Sequence, residues 1–126
     1  MKLLADSNVL IEILKSPAKD LADVFVSNEI VICGVIKAEV LHGAKNDTDF
    51  AAIRDALSGL EEIDIEFTDW IEIGRLLYML RKKGVSVPFQ DAVIAFAAKK
   101  HNAVLWTRDK HFALIKENAL PDLSIL

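Results

Sequence analysis

Lys2-Leu3-Leu4-Ala5-Asp6-Ser7-Asn8 reads as a short apolar strand that runs directly into a carboxylate. Ala103-Val104-Leu105-Trp106-Thr107-Arg108-Asp109, far along the chain, is a second apolar run closed by an acid. Between them the sequence alternates short β-like runs with longer helical patterns. Residues 29–33 form a run rich in β-branched side chains, and residues 62–67 alternate acid and apolar, the pattern of a half-exposed edge strand. Residues 123–126 suggest a short fifth strand. Helices are expected from Ser16-Pro17 to about residue 26, over 35–44, from near Thr48, from Thr68 to a stop at Gly84, from Pro88 to Asn102, and from Asp109 toward Glu117. Strands separated by helices argue for a parallel sheet covered on both faces. The expected architecture is therefore α/β, a three-layer sandwich with a central parallel sheet of four or five strands flanked by helices, over residues 1–126 as one domain.

Size and composition agree. A chain of 126 residues, 52% hydrophobic and 27% charged, suits one sizeable core and is far from a disordered composition. The single cysteine, Cys33, excludes an internal disulfide and a cysteine metal cage, and sits in an apolar run as a core residue would. No apolar run reaches the length of a membrane span. Asp6, Asn8 and Glu12 interrupt the N-terminal run too early for a secretory leader, so a cytoplasmic protein is expected. The formal charge of −4 counts against a generic nucleic-acid coat while leaving room for a local basic patch.

In a parallel sheet, ligands bind beyond the carboxyl ends of the strands. If the first and fourth strands are neighbours, Asp6 and Asp109 share one rim. Each acid also suits a plain helix cap. Asp91 shares a helix face with Ile94, Ala95 and Ala98, which turns it inward. Its place in the first turn also suits the helix dipole. Glu39 follows Val35 and Ile36 on an apolar stripe, where an unpartnered charge is costly; a salt bridge to a lysine or arginine is the alternative. Gathered carboxylates repel one another unless a cation intervenes, and hard oxygen donors select Mg²⁺ or Mn²⁺. Zinc spacing, a phosphate-binding Gly loop and a nucleophile elbow are all missing. A phospho-receiver module would need paired acids after the first strand, and Asp6 stands there alone.

At these residues the sequence resembles the PIN-domain nuclease family and, in size and motifs, its VapC-type toxins of toxin–antitoxin pairs. The motifs are Leu4-Ala5-Asp6-Ser7-Asn8, Glu39-Val40-Leu41-His42-Gly43, Asp91-Ala92-Val93-Ile94-Ala95 and Thr107-Arg108-Asp109-Lys110-His111-Phe112. They fall in order over nearly the whole chain. The sequence departs from the pattern at His111, where many relatives carry a further Asp, and at Gly34-Val35-Ile36, where many carry Ser or Thr. The resemblance implies a PIN-like fold, Mg²⁺ or Mn²⁺ in an acidic pocket, endonucleolytic cleavage of RNA, a homodimer and an antitoxin partner. Asp6, Asp91 and Asp109 are then the metal ligands, directly or through water, and Glu39 holds a water or a second ion. Asn8 and Thr107 are expected to orient Asp6 and Asp109. Arg81, Lys82, Lys99, Arg108 and Lys110 are the candidate RNA contacts, although cations at helix ends also complement the dipole. Trp70, Tyr78 and Trp106 suit base stacking or the core. His42, His101 and His111 receive no acid–base role. Alternatives within the family are RNA maturation without a toxin role, and a non-catalytic module that binds RNA or protein.

Overall fold

The computed structural model describes residues 1–126. Four parallel strands, β1 (Lys2–Ala5), β2 (Glu29–Cys33), β3 (Glu61–Ile63) and β4 (Val104–Trp106), form one sheet in the order β3-β2-β1-β4. Seven helices flank it: α1 (Ser7–Lys15), α2 (Lys19–Ser27), α3 (Gly34–His42), α4 (Asp47–Leu57), α5 (Asp69–Lys82), α6 (Phe89–Lys100) and α7 (His111–Asn118). Leu3, Leu4 and Ala5 are buried, as are Ile30 to Cys33, because the inner strands are covered on both faces. β3 lies at an edge, as its alternation of acid and apolar residues predicts, but spans only Glu61–Ile63. The expected fifth strand contracts to a single parallel bridge between Ile125 and Leu105. The amides of Leu105 and Leu126 still bond Ser124 O and Leu105 O at 2.8 and 2.9 Å, so the C-terminal residues lie along the outer side of β4.

Two helix starts differ from the sequence reading. Ser16-Pro17 does not open a helix: Ser16 ends α1, its amide bonding Glu12 O, and α2 begins at Lys19 without a side-chain cap. α1 itself follows Asp6 at once and buries Val9 and Leu10, with Ile13 packed beside them, an i, i+1, i+4 stripe. α7 starts at His111, two residues beyond Asp109. The helix stops hold as expected: Gly84 takes φ +74° after α5 and Asn102 φ +53° after α6, the left-handed conformations that close helices.

The order of strands places the site. The chain leaves β1 toward β2 on one side, and leaves β4 toward the Ile125 bridge on the other. The crevice between the carboxyl ends of β1 and β4 is thus a topological switch point, the usual ligand position in an open α/β sheet. α6 points its first turn at this crevice and is held by Ala92, Val93, Ile94, Ala95, Ala97 and Ala98, all fully buried. Truncating Ile94→Ala should therefore cost about 2–5 kcal/mol, read as a lower midpoint of denaturant unfolding at unchanged slope. A loss under 1 kcal/mol would show that α6 is not anchored this way.

Candidate functional site

Asp6 is only 5% exposed and both of its oxygens are occupied. Oδ1 accepts the Ser7 amide at 2.8 Å, capping α1, and Oδ2 accepts the Thr107 hydroxyl at 2.8 Å. Thr107 Oγ1 in turn accepts the Asp109 amide at 3.0 Å, and Asp109 Oδ1 accepts the His111 amide at 2.9 Å. The Asp6 amide bonds Trp106 O at 2.9 Å, continuing the β1–β4 pairing past the end of β1. Capping and site-building are thus one arrangement: each acid spends an oxygen on a helix start and is fixed at the rim by doing so.

Thr107 lies where the sequence reading puts it, between Asp6 and Asp109. Asn8 does not: it is exposed on α1 and makes no hydrogen bond to Asp6, whose oxygens are taken by the Ser7 amide and the Thr107 hydroxyl. Adjacent residues of a helix point about 100° apart, so only the capping amide reaches back.

Asp91 rises from the first turn of α6 with its side chain 13% exposed. Its pKa is pushed up by burial first and by Asp109 next; nearby His111 pulls it down, and Asp6 adds a further upward push. Glu39, half-buried on α3, is raised by burial, then by the charges of Asp6 and Asp91. Four acids distant in sequence thus share one crevice. Asp91, Asp109 and His111 form its tightest group, each bringing a donor atom within 4.8 Å of the others. His111 Nδ1 lies 3.1 Å from Asp91 Oδ2 and 3.1 Å from Asp109 Oδ1. Asp91 Oδ2 and His111 Nδ1 are nevertheless buried without a directed hydrogen bond. Such orphaned oxygen and nitrogen atoms, with carboxylates nearby, fit a divalent cation.

The candidate RNA contacts scatter. Arg108 and Lys110 flank Asp109, but Arg108 is ion-paired to Glu12 of α1, an acid without a role in the sequence reading. Glu12 lay hidden because α1 was not recognised as a helix; a helical reading of residues 7–15 would have given its direction. Lys99 is displaced from the group: it lies beside Ala103 and Val104 at the start of β4, the rim opposite the acids. Arg81 and Lys82 sit over the exposed Tyr78 ring, 5.8 and 5.2 Å from its centre. Trp106 is buried in the core, whereas Trp70 is 45% exposed and stacks on Phe89 at 6.3 Å. His42 is exposed, and His101 contacts Asp64 O at 3.0 Å.

The PIN domain family model matches residues 3–118. Ribonuclease VapC18 of Mycobacterium tuberculosis is 31% identical over 90 residues, a match spanning 68% of this chain and 66% of that protein, just under two thirds of its length. Among solved structures, a chain of VapBC2 from Rickettsia felis, bound to a DNA fragment from its promoter, superposes with a TM-score of 0.82 at 23% identity, covering 100% of this chain and 98% of that one. A chain of a toxin–antitoxin complex from Klebsiella pneumoniae gives a TM-score of 0.68 at 26% identity, over 87% and 88% of the two chains. No helix is long and apolar enough to cross a membrane.

The raised pKa values of Glu39 and Asp91 have a definite sign. Between the ordinary carboxylate pKa and the raised one, the folded chain holds more protons than the unfolded chain. The metal-free fold therefore loses stability as pH rises through that window and carries the full penalty above it. Glu39→Gln should raise the Tm of the metal-free protein by a few degrees at pH 7, with the gain vanishing as pH falls below the ordinary glutamate range. Scanning calorimetry in a chelator across pH checks this; a lower Tm at pH 7 would mean Glu39 is stabilised by its surroundings.

Proposed function

The chain belongs to the PIN domain family, and on that premise we propose that it is a metal-dependent endoribonuclease acting as the toxin of a toxin–antitoxin pair. The observation that carries the reading is the convergence of Asp6, Glu39, Asp91 and Asp109 on the β1–β4 crevice, where burial first and mutual repulsion next raise the pKa values of Glu39 and Asp91. Repulsion of this kind is retained where a ligand repays it. The likeness to a named ribonuclease and to chains of toxin–antitoxin complexes supports the substrate class and the role.

Asp91 and Asp109 hold Mg²⁺ or Mn²⁺, with Asp6 acting directly or through water. Bound there, the ion supplies Lewis acidity for attack of water on a phosphodiester bond. Thr107 keeps Asp6 and Asp109 in register by donating to one carboxylate and accepting the other's amide. Glu39, near enough to Asp6 and Asp91 to feel both charges, orients water; burial first and those charges next push its carboxyl above the ordinary range. Lys110 and Arg108 flank the acids on the loop after β4 and meet the phosphate chain, Arg108 after giving up Glu12. Arg81 and Lys82 extend the contact. In-line attack leaves a 5′-phosphate and a 3′-hydroxyl.

An antitoxin that places an arginine in the acidic crevice inhibits by taking the cation's place. The exposed apolar residues Phe67, Trp70, Ile71 and Phe89 support association into a homodimer. Residues 1–126 act as one domain in the cytoplasm.

The test is cleavage of single-stranded RNA with Mg²⁺ or Mn²⁺. Asp6→Asn and Asp91→Asn should each lower the rate by about 100-fold or more while keeping the fold, judged by circular dichroism. Equal rates in all three proteins would remove the catalytic assignment.

A further inference from the structure

We propose that His111 is a direct nitrogen ligand of the divalent cation, completing a trio with one oxygen each of Asp91 and Asp109, and that it biases the pocket toward Mn²⁺ over Mg²⁺. The inference rests on the nuclease reading for the presence of an ion and goes beyond it in naming the donor set and its selectivity.

Three observations converge on His111. The first is spacing. Donors on neighbouring corners of an octahedron with bonds of about 2.1 Å lie about 3.0 Å apart. Nδ1 stands 3.1 Å from both Asp91 Oδ2 and Asp109 Oδ1, two edges of that length, and the three residues offer donor atoms within 4.8 Å of one another. The second is the geometry of the contact, which pairs His111 with two carboxylates by charge without a well-directed hydrogen bond to Asp91. An ordinary histidine–aspartate pair would direct an N–H at its carboxylate, yet Nδ1 and Asp91 Oδ2 are both buried and both without a directed hydrogen bond. Each such orphan is costly, and a shared cation removes both costs together. The third is pre-organisation. The His111 amide bonds Asp109 Oδ1 at 2.9 Å at the start of α7, and the adjoining Phe112 is fully buried, so the imidazole is carried on a fixed backbone.

Both Asp6 oxygens accept a donor, from Ser7 and Thr107, as Asp109 Oδ1 accepts the His111 amide, and each keeps a lone pair for the ion or its water. The imidazole of His111 supplies the nitrogen corner. Replacing an oxygen corner by nitrogen penalises Mg²⁺, which is hard and keeps oxygen ligands, more than a first-row transition ion.

The decisive measurement is electron spin-echo spectroscopy on the full-length protein loaded with Mn²⁺, with calorimetric titrations of Mn²⁺ and Mg²⁺ alongside. The wild type should show a directly bound ¹⁴N coupling and bind Mn²⁺ at least about tenfold more tightly than Mg²⁺. His111→Asp should still bind both ions, lose the ¹⁴N coupling and bring the two affinities close to parity, while His42→Ala and His101→Ala keep the coupling. A wild-type spectrum without ¹⁴N coupling, or no Mn²⁺ binding, overturns the proposal whatever the variants do. RNA cleavage in the same samples separates the two ideas: Mg²⁺-supported cleavage with no ¹⁴N coupling sinks the His111 ligand and leaves the nuclease standing, whereas ¹⁴N coupling without cleavage does the reverse.

Discussion

The hydroxyl of Thr107 joins the ends of the two strands that frame the crevice. It gives its proton to Asp6 Oδ2 and receives the amide of Asp109, so the rim of β1 and the rim of β4 share one short hydrogen-bonded path. The Asp6 end of the path is buried and the Asp109 end half-buried, where such bonds are strong and their loss is expensive. Everything in the crevice is positioned from it. Asp6 caps α1, Asp109 fixes the first amide of α7, and that turn delivers His111 to Asp91. A Val at 107 would fill the same space and leave a buried carboxylate oxygen and an amide without partners.

The arrangement is locally unfavourable by design of its chemistry. Burial and neighbouring acids push Glu39 and Asp91 upward, and two buried polar atoms face each other unsatisfied. The apolar support beneath offsets this. Strands β1, β2 and β4 and the alanine-rich face of α6 bring fully buried side chains directly under the acids. Small side chains at Ala92, Ala95 and Ala98 let α6 lie close to its neighbours, which brings Asp91 within reach of a loop from β4.

Much of this was legible in one dimension. Apolar runs ending in acids gave the parallel sheet and the rim, because a strand's end and its following carboxylate are local facts. The inward turn of Asp91 followed from helical spacing against Ile94, Ala95 and Ala98. Glu39 was legible in the same way, flanked by Ile36 and Val40, which the structure buries. What stayed hidden depends on register across the sheet. That Asp6 accepts the Thr107 hydroxyl, that His111 reaches Asp91 and that Glu12 holds Arg108 are all consequences of β1 pairing Leu4 with Leu105 and Ala5 with Trp106. No periodicity encodes that pairing. The Ser16-Pro17 signal misled for a different reason: a serine before proline marks a break in helical structure equally well as a beginning, and here it ends α1.

The bridge at Ile125 has a practical side. Without it, β4 would present a bare row of amides and carbonyls to solvent, and bare strand edges recruit other chains. The hydrogen bonds from Leu105 to Ser124 and from Leu126 to Leu105 make the last few residues a sacrificial cover over that edge. Loss of residues 123–126 would open that edge to intermolecular β-addition and aggregation in storage.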